Sequence, residues 1–248
     1  MIVRTEAVVL RAMNYGETSQ IVTLFTRDRG KVSVLARGAR VPKSRYGSTL
    51  QPGSYIQAVL YYKPGRDLQN LSETSHVRAF LNTAQNLEHI TLALRIVELT
   101  NALMQQEQYH PMVFNLLVQT LERLNDADAR TGNLLPYFQL RLASILGFSP
   151  AIDRESVQAL PEEGGLLLLD SGTIMGFGTA YSAWRRASRA ALRAFAICAR
   201  ASLDDVMRMN LQPDVRTELD RLVEDYLRFH FEEAYPSRSA RIIRQIVS

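Results

Sequence analysis

The hydrophobic pattern of the chain changes its period near residue 81. Before that point, apolar and polar residues alternate in short runs such as GKVSVLA at 30–36, and turn-forming residues separate the runs. After it, Leu87, Ile90, Leu94 and Val97 recur at the 3.6-residue period of a helix. Because a segment with helical periodicity does not suit a sheet, the sequence predicts a β domain at 1–80 and an α-helical domain at 81–248.

The β domain contains five runs with the composition of strands. They are TEAVVLRAM, SQIVTLFT, GKVSVLA, SYIQAVLYY and LQNLSETSHV. Five short strands at turn spacing are typical of a small closed barrel or a sandwich. Five-stranded barrels of this kind bind oligonucleotides across one face and its loops.

The α-helical domain is interrupted by a glycine-rich stretch at 149–180. Within it, the apolar segments Leu166–Leu169 and Ile174–Phe177 flank the turn sequence DSG, which predicts a hairpin. Helical patterns return at 181–202 and at 213–234. The predicted fold class is therefore α+β, with a barrel, a helical domain and a small hairpin insert.

The charge is distributed unevenly along the chain. The formal net charge is +4, yet residues 1–80 hold twelve Lys or Arg against five Asp or Glu, a balance of +7. The remaining residues hold seventeen basic and twenty acidic side chains, a balance of −3. An excess of positive charge confined to the predicted barrel favours nucleic acid or another anionic surface as its partner.

The stretch RGARVPKSRYGSTLQPG at 37–53 concentrates this charge without any acidic residue. Arginine and lysine neutralise phosphates, and an aromatic ring offers a surface on which bases stack. The alternative is a solvated loop whose tyrosine lies partly in the core. The predicted DNA-binding residues are Arg27, Arg29, Lys31, Arg37, Arg40, Lys43, Arg45 and Tyr46.

A second basic run lies at 184–200. Arg185, Arg189 and Arg193 recur every fourth residue, which would place them in one stripe on a helix. Such a stripe can bind phosphates or the carboxylates of a partner protein, so we predict these three residues as partner-binding. A solvated helix surface is the alternative interpretation.

The sequence offers little support for catalysis or metal binding. The four histidines have no metal-ligand spacing, and no phosphate-binding glycine fingerprint occurs. The one cysteine, Cys198, lies among apolar residues and is predicted to be a buried structural thiol. A single cysteine excludes a disulfide within the chain and favours a reducing compartment, so the cytoplasm is expected. We expect no catalytic residue, no metal, no cofactor and no membrane span.

Six short segments together resemble the RecO family of bacterial recombination mediators. They are YGETSQIVTLFTRDRGKVSVLARGAR at 15–40, KSR, LQP, LGFSP at 146–150, EEGGLL at 162–167 and SRSARI near the end, in the order typical of that family. The resemblance implies an N-terminal oligonucleotide-binding (OB) barrel and binding of single- and double-stranded DNA. It also implies strand annealing and the loading of RecA onto DNA coated by single-stranded DNA-binding protein. The implied protein partners are RecR and the acidic C-terminal tail of single-stranded DNA-binding protein.

The chain departs from the family at a zinc site. Many RecO proteins hold zinc with two C-x-x-C pairs, and alignment by the landmarks above places these positions at Glu155, Gln158, Leu168 and Ser171. None is a cysteine, and a leucine cannot bind a metal, whereas structural zinc needs four thiolate or imidazole ligands. We therefore interpret the insert as a zinc-free remnant of a zinc-finger region.

Two functions follow from these observations. The first is a non-enzymatic DNA-binding mediator of recombinational repair, which grips the phosphate backbone with its barrel. The second is a protein-interaction adaptor whose helical domain binds acidic partner tails and whose basic loop contacts acidic proteins. Salt-sensitive binding to bare oligonucleotide would separate the two.

Overall fold

The computed structural model describes residues 1–178, 183–232 and 235. The chain folds into two compact units, Met1–Asp126 and Ala127–Tyr235. The first unit contains five strands that close into a barrel in the order β1-β2-β3-β5-β4. The strands are β1 (Ile2–Tyr15), β2 (Ser19–Thr26), β3 (Gly30–Ala36), β4 (Tyr55–Tyr61) and β5 (Leu68–Arg78). This confirms the predicted five-stranded OB barrel.

The barrel closes because β1 pairs on both sides. Its first half is antiparallel to β4, and its second half is antiparallel to β2. The register shifts between Val9 and Arg11, and such a bulge bends a strand and increases its twist. The last contact that closes the barrel is a short parallel pairing of β3 with β5.

Three helices complete the first unit. They are α1 (Leu81–Gln85), α2 (Leu87–Leu103) and α3 (Pro111–Asp126). Phe114 of α3 packs against Phe25 of β2 and Tyr55 of β4, with ring centroids 6.1 and 6.4 Å apart. The chain changes from strands to helices at residue 81 as predicted, but the compact unit extends to Asp126 because these helices pack against the barrel.

The second unit is built mainly of helices. Phe138, Phe195 and Tyr226 lie in its core, and the rings of Phe195 and Tyr226 meet edge to face with centroids 5.8 Å apart. After a single 3-10 turn at Thr131–Asn133, the elements are α4 (Leu134–Ile145), α5 (Arg154–Gln158), β6 (Gly165–Leu168), β7 (Ile174–Met175), β8 (Trp184–Ala187), α6 (Arg189–Arg200), α7 (Leu203–Arg208) and α8 (Pro213–His230).

The insert holds the predicted hairpin and a strand that the sequence does not predict. Strands β6 and β7 pair around a turn in which Gly172 has a φ of +68°, a conformation that favours glycine. The prediction of a helix across 181–202 is wrong at 184–187, because β8 pairs with β6 there. Helix α6 begins only at Arg189, where Ser188 Oγ accepts a hydrogen bond from the Ala191 amide at 3.2 Å. Residues 179–182 of these segments lie outside the described residues, as does the SRSARI segment.

In the part of the chain that the structure describes, no helix is both long enough and apolar enough to cross a bilayer.

Candidate nucleic-acid interface

The predicted basic stretch forms a long connection between β3 and β4. We call residues 37–54 the basic loop. Tyr46 and Leu50 fix it to the barrel, since both side chains lie in the barrel core and Tyr46 is only 1% exposed. The Tyr46 hydroxyl donates a hydrogen bond to the Leu71 carbonyl at 2.9 Å. Tyr46 is therefore a correction to the predicted DNA-binding set, because a ring buried in the core cannot stack on a base.

The basic loop is also tethered at both sides of this anchor. Near its start, the Arg40 amide donates to the Thr18 carbonyl at 2.9 Å, and Arg40 Nη1 donates to the Gly16 carbonyl at 3.0 Å. After the anchor, Thr49 and Thr74 share a hydrogen bond of 2.5 Å between their hydroxyls. The loop thus has a defined path from the β1–β2 turn to β5.

Four cations project from this fixed backbone. Arg37, Arg40, Lys43 and Arg45 are all exposed. Arg40 Nη1 donates to the Gly16 carbonyl, and Arg45 donates to the Tyr46 hydroxyl at 3.1 Å. Within the described residues, none of the four is paired with a carboxylate. A phosphate can therefore bind here without displacing an existing ion pair.

Arg27, in contrast, already has a carboxylate partner. Its guanidinium donates to Glu6 Oε2 from Nη2 at 2.7 Å and from Nε at 3.0 Å. It also lies over the Phe114 ring, 4.8 Å from the centroid. Hydrogen bonds from the Tyr55 hydroxyl and then from Arg27 hold the pKa of Glu6 below its ordinary value, despite partial burial. Arg27 consequently stabilises the contact between β2 and α3.

Arg29 and Lys31 also have partners within the first unit. Arg29 lies over the Tyr62 ring at 4.2 Å, and the Tyr62 hydroxyl donates to Glu107 at 2.7 Å. Lys31 Nζ donates to the Asn101 carbonyl at 2.8 Å, and burial lowers the pKa of its ammonium group. The structure thus separates Arg27, Arg29 and Lys31 from the four free cations of the basic loop.

The outer face of β1, β2 and β3 adds residues that the sequence analysis missed. Met13 pairs with Ile21, and Ile21 pairs with Leu35, so these side chains form a row across the three strands. Tyr15, next along β1, is 53% exposed, and Met13 is 41% exposed. Arg11 is exposed on the same face. The predicted strand ends at Met13 and the residues after it are assigned to a turn, so the alternation that places Tyr15 outward is overlooked.

The family described as Recombination protein O N terminal matches residues 1–80, and Recombination protein O C terminal matches residues 84–239. A protein named DNA repair protein RecO from Salinibacter ruber is 56% identical over 246 residues, covering 99% of this chain and 94% of the relative. A DNA repair protein RecO from Chloroherpeton thalassium is 32% identical over 260 residues and covers both chains fully. The chain belongs to the RecO family.

The N-terminal RecO match spans the barrel and the whole basic loop. The C-terminal match begins within α1 and spans α2 and α3 as well as the described helices of the second unit. The first match ends at residue 80, directly before α1, and the second begins at residue 84.

The predicted stripe of arginines in the C-terminal RecO region is split by the structure. Arg185 lies on β8, not on a helix, and its Nε donates to Asp225 at 2.5 Å. Arg189 and Arg193 lie on α6, as predicted. Arg185 is therefore a correction, because the strand pairing of 184–187 removes it from the helical stripe.

Arg193 lines a cavity of about 380 Å³ in the second unit. Its apolar lining includes Ile152, Val157 and Ile197, and Arg154 and Arg200 are the other cations beside it. Among the residues that the structure describes, no carboxylate lines this cavity. We call it the arginine cavity. It combines positive charge with an apolar surface, whereas the predicted stripe offers charge alone.

The four positions that correspond to the RecO zinc ligands lie in the insert. Glu155 and Gln158 are on α5, Leu168 is on β6, and Ser171 is in the turn after it. Across residues 1–178, 183–232 and 235, no three His, Cys, Asp or Glu side chains are grouped so as to hold a metal ion. The zinc-free interpretation stays a prediction that rests on the sequence. Burial raises the pKa of the Cys198 thiol to about 12, in keeping with an inert structural residue.

Proposed function

We propose that this RecO-family chain is a non-enzymatic, DNA-binding recombination mediator that acts in DNA repair. It binds single- and double-stranded DNA, anneals complementary strands and, with RecR, loads RecA onto single-stranded DNA in the cytoplasm. The observation that carries the proposal is the set of four exposed cations without carboxylate partners, among the described residues, on a rigidly anchored loop. The family and the relatives named DNA repair protein RecO support the same role.

The mechanism that we propose is charge neutralisation. Two DNA strands repel each other through their phosphates, and cations that replace the condensed counterions reduce this repulsion. Phosphate contacts carry no sequence information, so the protein can hold any strand while leaving the base edges free to pair. The anchoring of the basic loop by Tyr46 holds the cations in place before DNA arrives.

The outer face of the barrel would hold the bases of a bound single strand. Tyr15 and Met13 are exposed beside Gly16, whose carbonyl accepts the hydrogen bond from Arg40. Stacking on an aromatic ring tolerates every base. We therefore extend the proposed interface from the four cations to Arg11, Met13 and Tyr15, and we no longer include Arg27, Arg29, Lys31 or Tyr46.

Removing the cations of the basic loop tests the DNA-binding proposal. Each lost phosphate contact lowers the slope of log affinity against log salt by about one unit, so the variant with Arg37, Arg40, Lys43 and Arg45 all changed to Ala should lose about 3 to 4 units. We expect affinity to fall about 100-fold at moderate salt, equally for all sequences. The measurement is oligonucleotide binding over a salt series.

A charge-preserving variant is the control for this test. Arg37→Lys, Arg40→Lys and Arg45→Lys together keep the positive charge and should retain the slope. A folded quadruple Ala variant with wild-type affinity and slope would refute the proposed interface. If the variant instead lost only the binding of acidic proteins, the adaptor function would replace the mediator function.

We also propose that the arginine cavity receives the acidic C-terminal tail of single-stranded DNA-binding protein. Such a ligand requires cations for its carboxylates and an apolar surface for its uncharged side chains. Arg154 and Arg193 supply the former, and Ile152, Val157 and Ile197 supply the latter. Arg200 has a supporting role, because it donates a hydrogen bond to the Ile152 carbonyl and so holds the wall of the cavity.

The double variant Arg154→Ala, Arg193→Ala should bind a tail peptide roughly three- to thirtyfold more weakly, since each exposed ion pair contributes about 0.3–1 kcal/mol. The variant Arg185→Ala removes one positive charge on a different element and should leave peptide affinity unchanged. Titration of a labelled peptide measures both. If both variants lost the same amount of peptide affinity, the peptide would be bound by the overall positive charge, and the arginine cavity would not be its site.

A further inference from the structure

The first unit contains a cavity of about 260 Å³ next to the basic loop. We call it the loop cavity. It lies between the last residues of the basic loop, the end of β5 and the three helices α1, α2 and α3. Its apolar wall includes Pro52, Phe80, Ala84, Ile90 and Leu121. Because the cavity is open to solvent and largely apolar, it is a candidate for a small, mainly apolar group.

The apolar wall of the loop cavity is interrupted by a few polar side chains. Ser48 Oγ and His76 Nε2 lie 3.1 Å apart on one side. Thr83 also lines the cavity, and its buried Oγ1 has no hydrogen-bond partner in the part of the chain that the structure describes. A buried hydroxyl without a partner is unfavourable, which suggests that a ligand or water completes it.

The charge at the loop cavity favours an uncharged group inside it, next to the positive charge of the basic loop. Its described lining contains no carboxylate. Arg78, the arginine in its wall, is already held by Asp126 through two hydrogen bonds of 2.6 and 2.8 Å. The free positive charge nearby belongs to the basic loop itself, since Arg45 precedes the lining residue Ser48 by three positions.

We propose that the loop cavity receives one unpaired nucleobase from a single strand whose phosphates lie on the basic loop. This inference rests on the proposed DNA-binding function. A nucleobase has two apolar faces and a polar edge, which match the apolar wall and the hydroxyls of Ser48 and Thr83. An apolar side chain of a protein partner would fit the wall but would leave Thr83 Oγ1 without a hydrogen bond and would not use the neighbouring cations.

A base in the loop cavity would distinguish single strands from duplexes. A paired base would have to leave its stack before entering, at a cost of a few kcal/mol, whereas a base in a single strand is largely free to do so. The four cations bind either form through phosphates. The loop cavity therefore adds a preference for unpaired DNA to an otherwise unselective electrostatic surface.

The test fills the cavity and compares DNA with and without bases. Ala84 is exposed on α1 and lines the cavity, so Ala84→Phe places a ring in the space proposed for the base. Stacking of one base contributes about 1–3 kcal/mol, so affinity for single-stranded oligothymidylate should fall about five- to hundredfold. Affinity for an abasic strand of the same length and for a duplex should not change. Ala190→Phe, at an exposed position of α6, is the matched control.

A second variant keeps the test valid if the first fails to fold. Thr83→Val retains the shape of the side chain and removes the unpaired hydroxyl, so it should not lower the melting temperature, yet it should weaken binding to single strands several-fold. Unchanged affinity of both variants for oligothymidylate would overturn the proposal. So would an equal loss on the abasic strand, or a loss of RecR binding with DNA binding intact. Failure of DNA binding by the basic loop would show separately, in the quadruple Ala variant.

Discussion

Tyr46→Ala is expected to lower the free energy of unfolding by about 3–5 kcal/mol, the range for removing a large aromatic side chain from a core. The ring is almost fully buried among the residues that line the inside of the barrel. Its loss would also release the middle of the basic loop, since Tyr46 Oη bonds to the Leu71 carbonyl. Chemical denaturation of the intact chain measures the change.

Two conservative variants separate the structural role of Tyr46 from a role in stacking. Tyr46→Phe keeps the ring and should lose only about 1–1.5 kcal/mol with the hydroxyl. Tyr46→Leu keeps an apolar anchor of the basic loop in the core, so at temperatures where the protein is folded it should lower DNA affinity only slightly, through looser placement of the cations. The same change at the exposed Tyr15 should weaken single-strand binding, because a stacking surface is lost. A larger effect at Tyr46 than at Tyr15 would restore Tyr46 to the interface.

The strands were predictable because their side chains alternate between two environments. Runs 19–26 and 30–36 coincide with β2 and β3, where alternate residues face the core along most of each strand. Helix α2 was equally predictable from the period of Leu87, Ile90, Leu94 and Val97, and Asn86, just before it, accepts hydrogen bonds from the amides of Glu88 and His89. In these elements the local sequence and the tertiary environment require the same conformation.

The segment at 184–187 was not predictable from its own residues. The sequence WRRA continues into a run that is helical by composition, so the local pattern favours one long helix. Pairing with Leu166 and Leu167 of β6 makes it a strand instead, and that partner lies about twenty residues away in sequence. Tertiary pairing overrides local propensity here. As a result, Arg185 lies on a strand and donates a hydrogen bond to Asp225.

In the candidate interface, too, features set by local sequence were predictable and features set by tertiary contacts were not. A stretch without acidic residues predicted the four free cations, because no neighbour in sequence could neutralise them. It could not show that Arg27 meets Glu6, or that Lys31 meets the Asn101 carbonyl, since those contacts join residues far apart in the chain. Nor could it show that Tyr46 points inward, because a turn residue has no periodicity that indicates its direction.

Gly30→Ala is expected to destabilise the first unit by about 2–5 kcal/mol. Gly30 has a φ of +65°, and a Cβ there would lie 1.9 Å from the Gln108 carbonyl oxygen. A left-handed backbone costs a non-glycine residue about 1–2 kcal/mol, and overpacking adds about 1–3 kcal/mol. Gly38 is the matched control, since its φ is +70° but no atom of the described residues lies within 4 Å of where its Cβ would be, so Gly38→Ala should show the backbone cost alone.

The difference between these two glycine variants measures the contact of β3 with the segment after α2. That segment pairs with the start of β3, where the Glu107 amide donates to the Lys31 carbonyl at 2.9 Å. If displacement of the segment in Gly30→Ala also moves the last turn of α2, Lys31 loses its hydrogen bond to the Asn101 carbonyl there and becomes available to phosphate. DNA binding by the folded variant should then show a steeper salt dependence than the wild type, by up to about one unit. Equal unfolding free energies for Gly30→Ala and Gly38→Ala would contradict the close approach of Gln108.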